Sequence, residues 1–326
     1  MTLVEAAALA ERLRGELHRV VIGQHGPVTD VLTALLAGGH CLVQGVPGLA
    51  KTLLIKTLGD AIAVSVQRIQ FTPDLMPSDV LGTEVVDEDR VSGSRSIRFE
   101  PGPIFANLVL ADEINRTPPR TQSALLEAMQ EGQVTIGGAR RPLPRPFFVM
   151  ATENPIEQEG TYPLPEAQLD RFMLQVVMGY PSADEERRIL AETTTGAVRA
   201  ASAVATGDDL VRAQALVRDI AAAPNVIDYA TRLVRATRPG GDGQGPPVVA
   251  QCVRWGAGPR AGQALVLAGK ARAVLHGRPA VSLDDVRAVA APVLRHRVLL
   301  NFQAEADGIG AASIVAQVLD HVPREA

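Results

Sequence analysis

The sequence predicts an α/β protein built on a mostly parallel sheet flanked by helices, followed by a smaller all-helical domain. Three observations predict it. Apolar runs of strand length alternate with helical stretches over the first two thirds of the chain. Several of those runs end in polar or acidic residues, as strands do when buried on both faces with a site at their ends. After Tyr180 and Pro181 the chain turns Ala-, Leu-, Val- and Arg-rich with helical period.

The elements follow in order. Residues 1–20 read as an amphipathic helix, without the basic-then-apolar layout of a signal peptide. HCLVQ (40–44), SVQRIQF (65–71), NLVLADE (107–113) and PFFVMATEN (146–154) are the strand candidates. Helical patterns follow Lys51 and occupy residues 121–131. Residues 83–105 and 131–146 carry turn chemistry inside short alternating segments, which predicts two inserted β-hairpins. The division expected is an α/β core over 1–181 and a helical domain over 182–326. The second part is interrupted by a Gly/Pro loop at 239–247, and Ser282 with Asp285 forms a capping signal.

Composition bounds the function. The chain has 326 residues, 46% hydrophobic and 21% charged, ordinary values for a globular protein. Aromatics make up only 3%, so the cores must be aliphatic and nucleic-acid stacking platforms are scarce. A net charge of −4 gives no overall pull toward nucleic acid or anionic lipid. Cys41 and Cys252 lack metal-ligand spacing and read as buried reduced thiols, consistent with the cytoplasm. No window reaches the ~20 apolar residues of a membrane span.

The chemistry lies in two motifs. Gly45, Val46, Pro47, Gly48, Leu49, Ala50, Lys51 and Thr52, with Leu53 behind them, follow a predicted strand and open a predicted helix. That is the setting of a phosphate-binding loop, in which backbone N–H groups and the helix N-terminus face the phosphates. Lys51 is the candidate for the β- and γ-phosphates of ATP, and the Thr52 hydroxyl for Mg²⁺. The usual glycine before the lysine is replaced by Ala50, read here as the start of the helix, where alanine fits. Asp112 and Glu113 end an apolar strand; such a pair holds the metal shell (Asp112) and polarises the attacking water (Glu113). Asn154, at the end of the next run, suits a contact to the γ-phosphate and lytic water, though an Asn before Pro155 also suits a turn. Arg171, in PEAQLDRF, and Arg260, in WGAGPRAG, have the charged, planar side chain that pairs with phosphate oxygens. By residue type alone each reads better as a surface charge or local ion pair, and only the resemblance below raises them to candidates.

The runs 110–138 and 150–172, with GVPGLAKT, FTPDLMPSDVLG, PGPIFANLVLADE, GAGPRAGQAL and DDVRAVAAPVLRHR, resemble the MoxR family of AAA+ ATPases. The likeness extends from about residue 16 to about residue 300. It implies an AAA+ core with a helix-2 insert hairpin near 78–105, a second hairpin near 132–146, a helical lid and a hexameric ring. It also implies that Asn154 is sensor 1, Arg171 a trans-acting arginine finger and Arg260 sensor 2. Val21, Ile22, Gly23 and Gln24 would flank the adenine. Gly258 stands where the family often carries serine. By resemblance the expected role is chaperone-like remodelling of protein clients for maturation or metal insertion, with a von Willebrand factor A domain partner. Three other readings compete with it. A nucleic-acid motor is disfavoured by the acidic VVDEDR stretch, and a metal-chelatase motor by the short C-terminal extension. A switch without turnover is disfavoured by Asp112, Glu113, Asn154 and Arg171 together.

Overall fold

The structure, a computed structural model, describes residues 1–88, 95–154, 160–195, 200–240 and 245–324. The chain opens with α1 (Leu3–Val20) and α2 (His25–Ala37). Then come β1 (Cys41–Gln44), α3 (Lys51–Ile62), β2 (Val66–Gln70), α4 (Pro77–Leu81), β3 (Gly82–Glu88), β4 (Arg95–Pro101) and β5 (Leu108–Asp112). These are followed by α5 (Pro119–Glu131), β6 (Gln133–Ile136), β7 (Ala139–Pro142), β8 (Phe148–Glu153), α6 (Glu166–Leu169) and β9 (Leu174–Val177). The last part holds α7 (Ala183–Thr193), α8 (Gly207–Asp219), α9 (Pro224–Ala236), α10 (Pro247–Cys252), β10 (Val253–Trp255) and α11 (Pro259–Leu275). It ends with α12 (Leu283–Leu294), β11 (Leu299–Leu300), α13 (Phe302–Ala306) and α14 (Ala311–His321).

Five strands form one sheet in the order β2-β5-β8-β1-β9, and every pairing is parallel. Because side chains alternate across a strand, the three inner strands β5, β8 and β1 each feed two cores. Cys41, Val43, Leu108, Leu110, Phe148 and Met150 enter one; Leu42, Val109, Ala111, Val149 and Ala151 enter the other. The first core continues without a break through α1, α2 and α3 into the buried faces of α8, α9, α11, α12 and α14. The C-terminal helices are thus fused to one face of the sheet by shared apolar packing. The second core is closed by α4 and α5.

The four strands predicted from apolar runs are present, each shorter by one to three residues than the run that announced it. The short edge strand β9 follows them. Both predicted hairpins are present: β3–β4 in full register from Gly82–Pro101 to Glu88–Arg95, and β6–β7 from Gln133–Pro142 to Ile136–Ala139. The first springs directly from α4 and returns through a turn, not into a second helical half. The Arg141 guanidinium lies 3.9 Å from the Phe99 ring centroid and 3.9 Å from Glu84, which joins the two hairpins.

The C-terminal part departs from all-helical. β10 and β11 form a two-stranded antiparallel ribbon that brings Val253 opposite Leu300 and Trp255 opposite Leu299. The predicted capping signal is a full capping box, with Ser282 Oγ accepting from the Asp285 amide at 3.2 Å. Residues 241–244 of the Gly/Pro loop, 89–94 of the first hairpin and 155–159 of the resemblance segment lie outside the described residues.

Candidate active site

The phosphate-loop candidate leaves the carboxyl end of β1. The Gly45 amide donates to the Glu153 carbonyl at 3.4 Å, tying the loop to the end of β8. A Cβ at Gly45 would stand 3.0 Å from the carbonyl oxygen of Met178, just past β9, so a larger residue here would crowd that backbone. Gly48 turns the chain at φ 86°. Lys51 Nζ donates to the Gly45 carbonyl at 2.7 Å, so the side chain lies back over the loop it would serve. Thr52 and Leu53 sit in the first turn of α3, where helix geometry leaves amides without intrahelical acceptors.

Ala50 corrects the sequence reading. It is the residue before the helix, in the left-handed region at φ 64° and ψ 22°, and not its first helical residue. Helix propensity is therefore beside the point. An alanine here carries about 1–2 kcal/mol of steric strain that a glycine would not.

The segment 21–24 reaches the same end of the sheet. Val21 and Gln24 are buried, and Gln24 Nε2 donates to the Gly179 carbonyl just past β9 at 3.0 Å. Gly23, at φ 76°, leaves room for the Glu185 side chain, which would stand 3.1 Å from a Cβ. Ile22 is half-buried between them.

Asp112 and Glu113 close β5 next to the loop, and a network spaces them. Thr152 Oγ1 donates to Asp112 Oδ1 at 2.6 Å and accepts from the Glu113 amide at 2.9 Å. Asp112 Oδ2 takes Arg68 Nε at 3.0 Å and Nη2 at 2.6 Å. Glu113 Oε2 accepts from Gln70 Nε2 at 2.7 Å and pairs with Arg116 Nε at 3.1 Å. Glu113 itself has φ 57°, a left-handed backbone rare for a non-glycine residue; such strain survives only where neighbours over-determine it. Arg68, Gln70, Arg116 and Thr152 were missed in the sequence. The signal was there for two of them: alternation in SVQRIQF puts Arg68 and Gln70 on one face of a sheet-edge strand.

Asn154 follows β8 and is buried at 4% exposure. Beside it, burial pushes the Glu153 carboxyl up to about 7.

The two arginines lie elsewhere. Arg171 and Arg260 line one cleft of about 240 Å³ with Gly39, His40, Asp170 and Arg297. His40 directly precedes β1, and its carbonyl accepts from the Met173 amide, directly before β9, at 2.9 Å. This is the amino end of the sheet. The phosphate loop leaves the other end of β1, a strand about 10 Å long by its residue count. Arg260 Nη1 lies 3.8 Å from Asp170 Oδ2, and the Arg171 side chain has no hydrogen bond or ion pair among the described residues. His40 is held neutral by burial, its ring pushed down to about 4. Its Nδ1 accepts from the Val149 amide at 3.0 Å, and its Nε2–H donates to the Met129 carbonyl at 3.2 Å. The structure therefore gathers residues 21–24, 45–53, 112, 113 and 154 at one end, and 171 and 260 at the other.

Comparison with known proteins bears on this arrangement. Residues 40–174 match the profile of the ATPase family associated with various cellular activities, and residues 247–318 match an AAA lid domain. The chain is 44% identical to Chaperone MoxR1 of Mycobacterium tuberculosis over 96% of its own length and 81% of that protein. It is 33% identical to Protein MoxR of Paracoccus denitrificans over 87% of both. The chain belongs to the MoxR family of AAA ATPases. A crystal structure of a protein assigned as an ATPase, from Cytophaga hutchinsonii, superposes with a TM-score of 0.90 at 38% identity, covering 98% of this MoxR chain and 96% of that one. ATP hydrolysis and nucleotide binding are the properties of that family. No described helix of this MoxR protein is long and apolar enough to cross a membrane.

Proposed function

We propose that this MoxR protein is a Mg²⁺-dependent ATPase working as a homo-oligomeric ring, hexameric as its resemblance implies, in which each active site is completed by a neighbour. The observation that carries the reading is the separation of Arg171 and Arg260 from the phosphate loop of their own chain. They sit at the amino end of a sheet whose carboxyl end carries residues 45–53. Two arginines on one cleft, one of them with no side-chain hydrogen bond or ion pair among the described residues, suit a phosphate presented by another subunit.

Each residue then has a task. Residues 45–53 cradle the phosphates of ATP through backbone amides, with Lys51 neutralising the β- and γ-phosphates. Val21, Ile22, Gly23 and Gln24 bound the adenine. Glu113, held by Gln70 and Arg116, positions the attacking water and accepts its proton. Asn154 orients the γ-phosphate. Arg171 of the neighbouring copy stabilises charge on the transferring phosphoryl group, with Arg260 beside it. The donor set fits a hard divalent cation: Thr52 offers a hydroxyl and Asp112 a carboxylate. Held by Thr52 and Asp112, Mg²⁺ would supply positive charge that offsets the charge developing on the phosphates.

The division of labour proposed is a core to residue 181 and a lid from 182, which the two family matches support from either side. The work done is remodelling of a protein client in the cytoplasm, together with a von Willebrand factor A domain partner, in keeping with relatives named as chaperones. Val86 and Ile97 support a protein client. They stand opposite each other on the β3–β4 hairpin, 65% and 71% exposed, and offer an apolar contact at its outer half.

The test is a nucleotide trap. Full-length Glu113→Gln protein with ATP and Mg²⁺ should assemble into a single ring species by light scattering and retain a protein client through gel filtration. A monomer at every nucleotide concentration would refute the ring.

A further inference from the structure

Arg297 belongs to a motif that the nucleotide chemistry does not use, yet its side chain is held at every donor. It lies in the turn after α12, with a side chain only 4% exposed. A guanidinium has five N–H groups, and here each has an acceptor. Nε donates to Asp170 Oδ1 at 2.7 Å. Nη1 donates to the carbonyls of Val293 at 2.6 Å and Met173 at 3.1 Å. Nη2 donates to the carbonyls of Phe172 at 2.7 Å and Asp170 at 3.1 Å. His296, also buried, donates from Nε2 to the same Phe172 carbonyl at 3.0 Å.

These acceptors share one feature: apart from Val293, which belongs to α12 itself, they bracket Arg171. The residue before it gives its carboxylate and carbonyl, and the two residues after it give their carbonyls. Arg171 contributes nothing to the latch except its backbone position. Asp170 also ties in Arg260 through its second oxygen. The turn that ends a helix of the C-terminal part therefore grips the backbone on both sides of Arg171, whose side chain pairs with nothing among the described residues. Burying a charged group with every donor satisfied is expensive to rearrange, since each lost bond leaves a desolvated polar atom. The grip is stiff for that reason.

We propose that Arg297 is a positioning residue for Arg171, coupling the attitude of the C-terminal helices to the reach of the arginine offered to the next subunit. The proposal rests on the reading of Arg171 as a trans-acting group. It makes a specific claim: a shift of α12 moves residues 170–173, and with them the finger, without disturbing the phosphate loop of the same chain. A displacement of about 1 Å at a reacting group can lower turnover by about 10²-fold.

Arg297→Lys tests it in the full chain, because lysine keeps the charge but cannot reach five acceptors with one nitrogen. Steady-state ATPase assays should show kcat lowered by tenfold to a hundredfold, with the KM for ATP changed less than about threefold. Mixed with Lys51→Ala protein, whose latch and finger are intact, the variant should regain activity. A general loss of folding would not be repaired by mixing. Unchanged kcat would overturn the proposal. So would a loss that mixing fails to repair while Arg171→Ala mixed with Lys51→Ala is repaired. If that control mixture also stays inactive, the trans reading itself falls and the latch proposal with it. Should Arg297→Lys fail to fold by circular dichroism, Asp170→Asn serves the same comparison: it removes the carboxylate charge that faces Arg297 Nε and Arg260, keeps the four carbonyl acceptors of the latch, and should show a smaller loss of the same kind.

Discussion

The two ends of the central sheet differ in how their charged groups are held. At the carboxyl end, Asp112, Glu113 and Thr152 form a closed network with Arg68, Gln70 and Arg116, so each carboxylate already has a cation or amide on it. At the amino end, Arg297 is saturated while Arg171, one residue from its partner Asp170, pairs with nothing in the described chain. One end is arranged to bind and hold within a single chain. The other holds its backbone firmly and leaves one guanidinium unspent. That contrast is what a half-site made for another copy would require.

Breaking the amino end should give the largest effect. Arg171→Ala should lower ATP turnover by ~10³-fold, the order seen for arginine fingers. Calorimetric titration should find ATP affinity within about threefold of wild type, because the phosphate loop is untouched. Weakened affinity with normal turnover would move Arg171 into a binding role.

At the carboxyl end, Glu113→Gln keeps the side-chain shape and removes the base. Turnover should fall by about 10²-fold. The same amide can still face Gln70 and Arg116, so assembly and affinity should hold. Wild-type turnover would shift the water-positioning role to another carboxylate.

The contrast between the ends also explains what the sequence revealed. β1, β5 and β8 were legible because a strand buried on both faces must be apolar throughout, and the residues ending it must be polar if a site lies there. The proposed phosphate loop stood out as a candidate because glycines, lysine and threonine occur at fixed offsets along one continuous segment. The amino-end cleft was not legible as a unit. Its members come from residues 39–40, 170–171, 260 and 297, and nothing local brings them together. Arg171 and Arg260 were found through resemblance alone. The left-handed turn at Ala50 was missed for a different reason. Its neighbours on the C-terminal side are helical, and residue type did not reveal that the helix starts one position later.

A pH experiment sharpens the carboxyl end. Burial holds the Glu153 carboxyl protonated up to about pH 7, against 4.5 for an unperturbed glutamate. The folded state thus binds this proton more tightly than the unfolded chain. Its stabilising share is present below about pH 4.5 and is lost as pH rises through about 7. Thermal unfolding of wild type and Glu153→Gln should therefore diverge as pH rises from 4.5 to 7, with the amide variant gaining. Parallel curves across that range would mean that Glu153 is ionised without penalty.

The smallest expected effect is at Ala50. Ala50→Gly relieves the left-handed backbone at φ 64° and should raise stability by up to about 1 kcal/mol, partly offset by the freer unfolded chain. Chemical denaturation reads it directly. A loss of stability would contradict the conformation assigned to the loop.

The central claim is that one chain's phosphate loop works with another chain's Arg171. Complementation between two inactive proteins measures it. Lys51→Ala retains the arginine and lacks a working loop; Arg171→Ala retains the loop and lacks the arginine. Each should be inactive alone. Mixed under conditions where light scattering and differential labelling show co-assembly, they should recover ATPase activity, because some interfaces pair a good loop with a good arginine. If demonstrably mixed rings stay inactive, Arg171 serves its own subunit or none, and the division of the active site between the two ends of the sheet is wrong.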